Sequence, residues 1–169
     1  MIIGLSGAAR AGKDTFAGLI STLVPSCEKI AFAHALKEEC EPICQELFGI
    51  SAWTEDPEQK KIIRPTLIDV GHGRRQTVPT YWIDRAREKV YKSRFAHQII
   101  TDIRYANEAD FVSSLGGIVI MVKRNAAPVT IPTEIESLAA VKADITVDVG
   151  DTNLLSVIAA LTLGAEGRE

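Results

Sequence analysis

At 169 residues, 46% of them hydrophobic, the chain is long enough for one α/β domain over residues 1–169 with a sizeable core that needs no disulfide or metal to stand. A formal net charge of -3 argues against nonspecific adhesion to nucleic acid or acidic membrane, and no stretch reaches the roughly 18 consecutive apolar residues of a membrane span. The start lacks the basic, long-apolar and small-residue succession of a secretory signal, and Cys27, Cys40 and Cys44 are an odd number, so the expectation is a cytoplasmic protein with free thiols, two of them core residues.

The first predicted element is a buried strand over Ile2 to Ser6. It runs into GLSGAARAGKDT, Gly4 to Thr15, and then into a helix whose apolar residues Phe16, Ala17, Leu19, Ile20, Leu23 and Val24 recur at helical spacing. Between strand and helix stands Gly7-x-x-x-x-Gly12-Lys13, the frame of a phosphate-binding P-loop. Glycines let the backbone curl so that successive N–H groups, with Ala11 among them, face phosphate oxygens; the helix N-terminus adds partial positive charge, and Lys13 reaches the β and γ phosphates. Asp14 occupies the position where the motif calls for Ser or Thr. A carboxylate is favoured in a first helical turn, yet beside a triphosphate it needs a cation between, so Asp14 is expected to face Mg²⁺, its water shell or the acceptor, with Thr15 supplying a hydroxyl.

Glu28 to Ala33 reads as a second strand, followed by a helix with Leu36, Cys40, Ile43, Cys44 and Leu47 on one face that stops near Gly49. Trp82, Ile83, Ala86 and Val90 mark a helix entered at Pro79. Eleven of the 19 Lys and Arg residues fall between Lys60 and Arg104, opposed only by Asp69, Asp84, Glu88 and Asp102, so an anion could be held there; Arg85, Lys89 and Lys92 fit a solvated helix face. Gln98 to Thr101 and Ile118 to Val122 are strand candidates around a short helix carrying Phe111, Val112 and Leu115. Asn125 to Pro132 reads as a loop, Ile145 to Val149 as a strand, and Leu154, Leu155, Ile158 and Leu161 as one face of a closing helix. Strands alternating with helices imply a mainly parallel sheet with helices on both faces, the P-loop NTPase architecture.

The second informative stretch is IITDIRYANEAD, Ile99 to Asp110. An apolar strand ending in Asp102 is arranged as in a Walker B segment, whose carboxylate helps to hold the metal's water shell beside the P-loop, and Arg104 could aim the opposite charge at a phosphate. His34 and His97 show no partner in the sequence, and His72, beside two arginines, is either a phosphate-facing donor or a loop histidine.

GKDT at the P-loop, FAHALK at Phe32 to Lys37, GHGRR at Gly71 to Arg75 with Tyr81-Trp82-Ile83 after it, DIRYANEAD at Asp102 to Asp110, Gly116-Gly117 before a strand ending in Lys123-Arg124, Thr133 to Ser137 and VDVGD follow one another in the order seen in the bacteriophage deoxynucleoside monophosphate kinases, which this chain resembles across nearly its whole length. The resemblance implies the nucleoside monophosphate kinase fold, ATP and Mg²⁺ as the donor pair, and γ-phosphoryl transfer to a deoxynucleoside monophosphate. It also suggests a phage origin.

On that basis Gly7, Ala11, Gly12, Lys13, Asp14, Thr15 and Arg124 are expected to bind ATP, and Thr15 and Asp102 to hold Mg²⁺, partly through water. Lys13, Asp14, Asp102 and Arg104 form the expected catalytic set. Lys37, Arg64, Arg74, Arg75, Trp82 and Arg104 are the candidates for the acceptor, with acceptor and lid segments within 50–95 and 124–140. Arginine suits the acceptor phosphate because its planar fork binds two oxygens at once. Trp82 and Tyr81 are weighed as stacking platforms or core residues, and Trp53, near Glu55-Asp56-Pro57, is left between a lid and a capping segment. A phosphomevalonate or dephospho-coenzyme A kinase would use the same P-loop, and a nucleotide sensor would bind without transfer. The partner is read as a small molecule rather than nucleic acid or membrane, with a homodimer left open.

Overall fold

A computed structural model describes residues 1–124 and 132–148. Two compact units result, Met1–Ile30 with Lys92–Glu169, and Ala31–Tyr91.

Among the described residues the first unit is built on five strands, β1 (Ile2–Ser6), β2 (Cys27–Ile30), β3 (His97–Ile103), β4 (Ile118–Lys123) and β5 (Ile145–Asp148), in the order β2-β3-β1-β4-β5. Every neighbouring pair runs parallel. Its helices among the described residues are α1 (Lys13–Leu23), α5 (Ala106–Ser114) and α6 (Pro132–Ala139). Alternation along β1 decides which helix covers which face. Ile3 and Leu5 share a buried cluster with Phe16, Ala17 and Ile20 of α1 and with Ile99, Ile120, Val122 and Val147 of the other strands. Gly4 faces the other way, where a Cβ would run into Ile103 and meet both γ-methyls of Val112 on α5 at 3.2 Å. Removing each large apolar side chain from water contributes about 1.5–3 kcal/mol.

The second unit consists of α2 (Phe32–Phe48), α3 (Pro57–Thr77) and most of α4 (Tyr81–Lys92). Cys40, Cys44, Ala52 and Ile63 form its buried centre, flanked by Leu36, Ile50, Leu67 and Val70. Burial pushes the Cys40 thiol up to about 11, so both central cysteines are packing groups, in line with the sequence reading. Gly49, at φ 63, ends α2 in the left-handed conformation with its N–H on the Gln45 carbonyl.

Three expectations change. The second strand occupies Cys27–Ile30, and α2 already starts at Phe32, so FAHALK is helical throughout. Residues 57–77, given no helix by apolar spacing, form the 21-residue α3, and His72 is an exposed helical residue rather than a loop histidine. Pro132–Ala139 is helical as well. The expected loop at 125–131, Val149 and the closing helix through Leu161 lie outside the described residues.

His97 introduces a pH dependence. It pairs with Cys27 across the β2–β3 ladder, and its buried Nδ1 has no hydrogen-bond partner among the described residues. Burial, assisted by the Met1 ammonium, lowers its pKa below the usual 6.5. The folded chain therefore favours neutral His97; this contribution is complete above the unfolded pKa and is lost as pH falls through the lower folded one. The expected outcome is a melting temperature that drops on acidification below about pH 6.5, with a shallower drop in His97→Gln. Equal acid sensitivity of the two proteins would show that His97 carries none of it.

Candidate active site

The loop between β1 and α1 is shaped by backbone conformations that most residues avoid. Gly7 sits at φ 141, Arg10 at φ 62 and Gly12, the N-cap of α1, at φ 97. Gly7 is the tightest point, because an added Cβ would strike the Val122 carbonyl oxygen of β4. Ala11 is buried and its N–H donates to the Ala8 carbonyl at 3.1 Å, closing the curl. Lys13 reaches back over it: its ammonium donates to the Gly7 carbonyl at 2.7 Å and the Ala8 carbonyl at 2.8 Å. Asp14 and Thr15 follow in the first turn of α1, both exposed. A curled glycine loop, a helix N-terminus and a lysine ammonium thus converge at one sheet edge, the arrangement that receives phosphate oxygens.

The neighbouring strand ends beside this loop. Ser6 is in register with Ile103, and the buried Ser6 hydroxyl donates to the Ile103 carbonyl at 2.9 Å, which ties the C-terminal ends of β1 and β3 together. Asp102 and Arg104 flank Ile103, so the structure brings them to the sheet edge where the P-loop begins. Their turn is anchored from below by Glu108, 2% exposed, whose carboxylate accepts the Arg104 N–H at 2.8 Å and the Tyr105 N–H at 3.2 Å. Glu108 is the third residue of α5, where a carboxylate reaching back to the cap N–H is half of a capping box. Sequence reading missed it, although the Glu three residues after Tyr105 was the available signal. Glu108→Ala is expected to cost about 2 kcal/mol, since it strands N–H groups that a buried charge had satisfied. A denaturant melt that matches the parent would show the anchor to be dispensable.

Arg124 is exposed at the end of β4, the other neighbour of β1. The segment 125–131 that follows, part of the expected lid, lies outside the described residues.

The remaining acceptor candidates belong to the helical unit, where Arg75 and Trp82 meet at the Gly71 carbonyl and Arg74 lies over Tyr81. Arg64 is exposed on α3. Arg74 donates from Nε to Glu39 of α2 at 2.6 Å, and Glu39 raises its pKa further above the ordinary value. Arg75 turns back along its own helix, with Nη1 3.3 Å from the Gly71 carbonyl. Lys37 holds its ammonium 5.2 Å from the Trp53 ring centre, and His34 meets the same indole edge-on at 4.7 Å while lying 3.0 Å from Glu38. His34 thus has partners that the sequence did not reveal. Trp82 corrects the stacking expectation: it is 2% exposed and its indole N–H donates to the Gly71 carbonyl at 3.1 Å, so its ring packs the unit and offers no face to a base.

Among the described residues no helix is long and apolar enough to cross a membrane, and no group of three or more His, Cys, Asp or Glu could cage a metal.

No protein-family model matches the sequence. A protein of Acanthamoeba polyphaga mimivirus, carrying the provisional name deoxynucleotide monophosphate kinase, is 27% identical over 161 residues that cover 80% of this chain and 81% of the viral one. Two solved structures share the fold. The dephospho-CoA kinase of Campylobacter jejuni superposes with a TM-score of 0.51 at 13% identity, covering 97% of this chain and 98% of its own. TT1252 from Thermus thermophilus gives 0.53 at 13% identity, covering 100% and 98%. The parallel sheet with its flanking helices is therefore the P-loop kinase fold, as the sequence pattern implied.

Proposed function

We propose that this chain is an ATP- and Mg²⁺-dependent kinase that phosphorylates deoxynucleoside monophosphates to the diphosphates. The observation that carries the reading is the curled loop Gly7 to Gly12 with the Lys13 ammonium across it and Asp102 on the adjoining strand end. The related viral protein supports a phosphotransferase and supplies the acceptor class.

Phosphoryl transfer asks for little covalent chemistry; it requires two nucleotides held in line and neutralised charge. The loop N–H groups and the α1 N-terminus receive the β and γ phosphates, and Lys13 exchanges its two carbonyl partners for phosphate oxygens. Arg104, exposed beside the same strand end, meets charge on the group in transit. Arg124, exposed just after β4, is assigned to cover the donor nucleotide. Mg²⁺ suits these surroundings because it is carried by triphosphate oxygens and takes few protein ligands, all of them oxygen. The Thr15 hydroxyl and the Asp102 carboxylate are hard donors of that type, and they would hold it directly or through water. When bound, it neutralises phosphate charge. Asp14, exposed in the first turn, is assigned to the metal's water shell or to the acceptor.

The acceptor phosphate needs cations of its own, and Arg74, with its fork held by Glu39, is the first candidate. Arg64, Arg75 and Lys37 are secondary. The test is ADP formation from ATP and Mg²⁺ with each common deoxynucleoside monophosphate, its ribose counterpart, phosphomevalonate and dephospho-coenzyme A, beside Lys13→Ala. Turnover with deoxynucleotides, lost in the variant, is the expected result. Turnover with either of the last two alone would move the chain to another small-molecule kinase class, and ATP binding without transfer would leave a nucleotide sensor.

A further inference from the structure

Two guanidinium groups in the helical unit share one phenol ring. Arg74 Cζ lies 5.2 Å and Arg85 Cζ 5.4 Å from the centre of the Tyr81 ring. A single carboxylate, Glu39, fixes the group: its Oε1 receives Arg74 Nε at 2.6 Å and lies 2.5 Å from Arg74 Nη2, while its Oε2 accepts the Tyr81 hydroxyl at 2.8 Å. The Tyr81 oxygen in turn accepts Arg85 Nη2 at 3.1 Å. These residues come from α2, α3 and α4, so the arrangement is tertiary and invisible to helical spacing.

Two guanidinium cations crowd around the Glu39 carboxylate and repel one another, and Glu88 of α4 adds a further, smaller attraction for Arg85. Glu39 engages only the Nε–Nη2 side of Arg74, and Tyr81 takes one donor of Arg85. Both forks therefore keep donors directed elsewhere, and both residues are exposed while Glu39 is only 22% exposed. A cation pair with a half-buried internal anchor is prepared for an external anion with several oxygens, and the planar fork matches a phosphate monoester.

We infer that Arg74 and Arg85 together grip the phosphate of the acceptor nucleotide, and that Glu39 and Tyr81 are positioning residues that hold the two forks around the phenol ring. Arg85 thereby leaves the solvated helix face to which its spacing assigned it. The identity of the anion rests on the kinase reading above; the two-arginine site itself does not.

The experiment is a calorimetric titration of the full chain, without ATP, with each deoxynucleoside monophosphate and with the corresponding deoxynucleoside, followed by steady-state kinetics. Arg85→Gln is expected to weaken monophosphate binding by about tenfold or more, the loss typical of a charge-assisted bond, and to raise the acceptor KM while the ATP KM stays unchanged. The deoxynucleoside, lacking the anion, should not distinguish the variant from the parent. Glu39→Gln, which keeps an acceptor but drops the charge, should weaken the monophosphate alone, with Glu39→Asp restoring part of the loss. If Arg85→Gln unfolds, Arg85→Lys, which keeps the charge but lacks the fork, carries the same expectation. Parent-like monophosphate binding in a folded Arg85 variant overturns the inference. Should the parent bind monophosphates through Arg85 yet transfer nothing, the site stands and the kinase reading falls; should it transfer with an acceptor KM indifferent to Arg85, the reverse holds.

Discussion

Lys13→Ala is expected to lower phosphoryl transfer by about 10³-fold while lowering the melting temperature by only about 2–4 °C. The ammonium lies over the curl of the P-loop, bonded to the Gly7 and Ala8 carbonyls at 2.7 and 2.8 Å. Gly7 is buried, Ala8 is half-buried and both bonds are partly buried, so losing the ammonium leaves these carbonyls incompletely solvated and costs about 1 kcal/mol. In the reaction the same loss leaves charge building on the transferring group without its lysine. ADP release measured with a saturating acceptor, alongside a thermal melt, separates the two effects. Parent-like turnover would remove Lys13 from the chemistry, and a collapsed melt would mean that the lysine shapes the loop rather than serving the phosphates.

Gly7→Ala should act in the opposite manner, through structure first. At φ 141 the backbone occupies a region closed to L side chains, and the added methyl would meet the carbonyl oxygen of Val122 in β4. Neither partner yields easily, because Val122 is fixed between β1 and β5 and Gly7 directly follows the Ser6–Ile103 tie. The expected cost is about 4 kcal/mol, strain and overpacking together, or roughly 8–16 °C in melting temperature for a chain of this size. ATP affinity should fall even where the variant remains folded. A melt within error of the parent would mean that the loop can shift away from β4, and the steric account of this glycine would be wrong.

Particular residues show why some elements were legible and others were not. The alternation of Ile3 and Leu5 and the helical recurrence of Phe16, Ala17 and Ile20 are local patterns that answer to one buried interface, and the structure places all five in the same cluster. The P-loop frame, Asp102 at a strand end and the Cys40–Cys44 core pair were readable for the same reason. α3 was not, since Pro65, Gly71 and Gly73 interrupt it and its buried residues among those described are only Ile63 and Gly71. Its start was nevertheless written in the chain: Asp56 caps it by accepting from Glu58 and Gln59, both at 2.9 Å, with Pro57 at the first helical position. The Glu39, Arg74, Tyr81 and Arg85 group could not be read at all, because its contacts join residues 35 and 42 positions apart. Trp82 was read as two alternatives, and its burial and its bond to Gly71 decide between them.

The strand order also has a consequence for biosynthesis. Among the described residues β1 pairs only with β3 and β4, with Ile2 opposite Gln98, and β2 pairs only with β3. A ribosome therefore makes the two earliest strands and the whole helical insertion before either strand has a partner. At translation rates of 5–20 residues per second, the apolar Ile2, Ile3 and Leu5 wait roughly 5–20 s for β3 to emerge. The nascent chain spends that interval with unpaired strand edges, a window in which holdase chaperones and the rate of elongation influence how much of the protein reaches its native state.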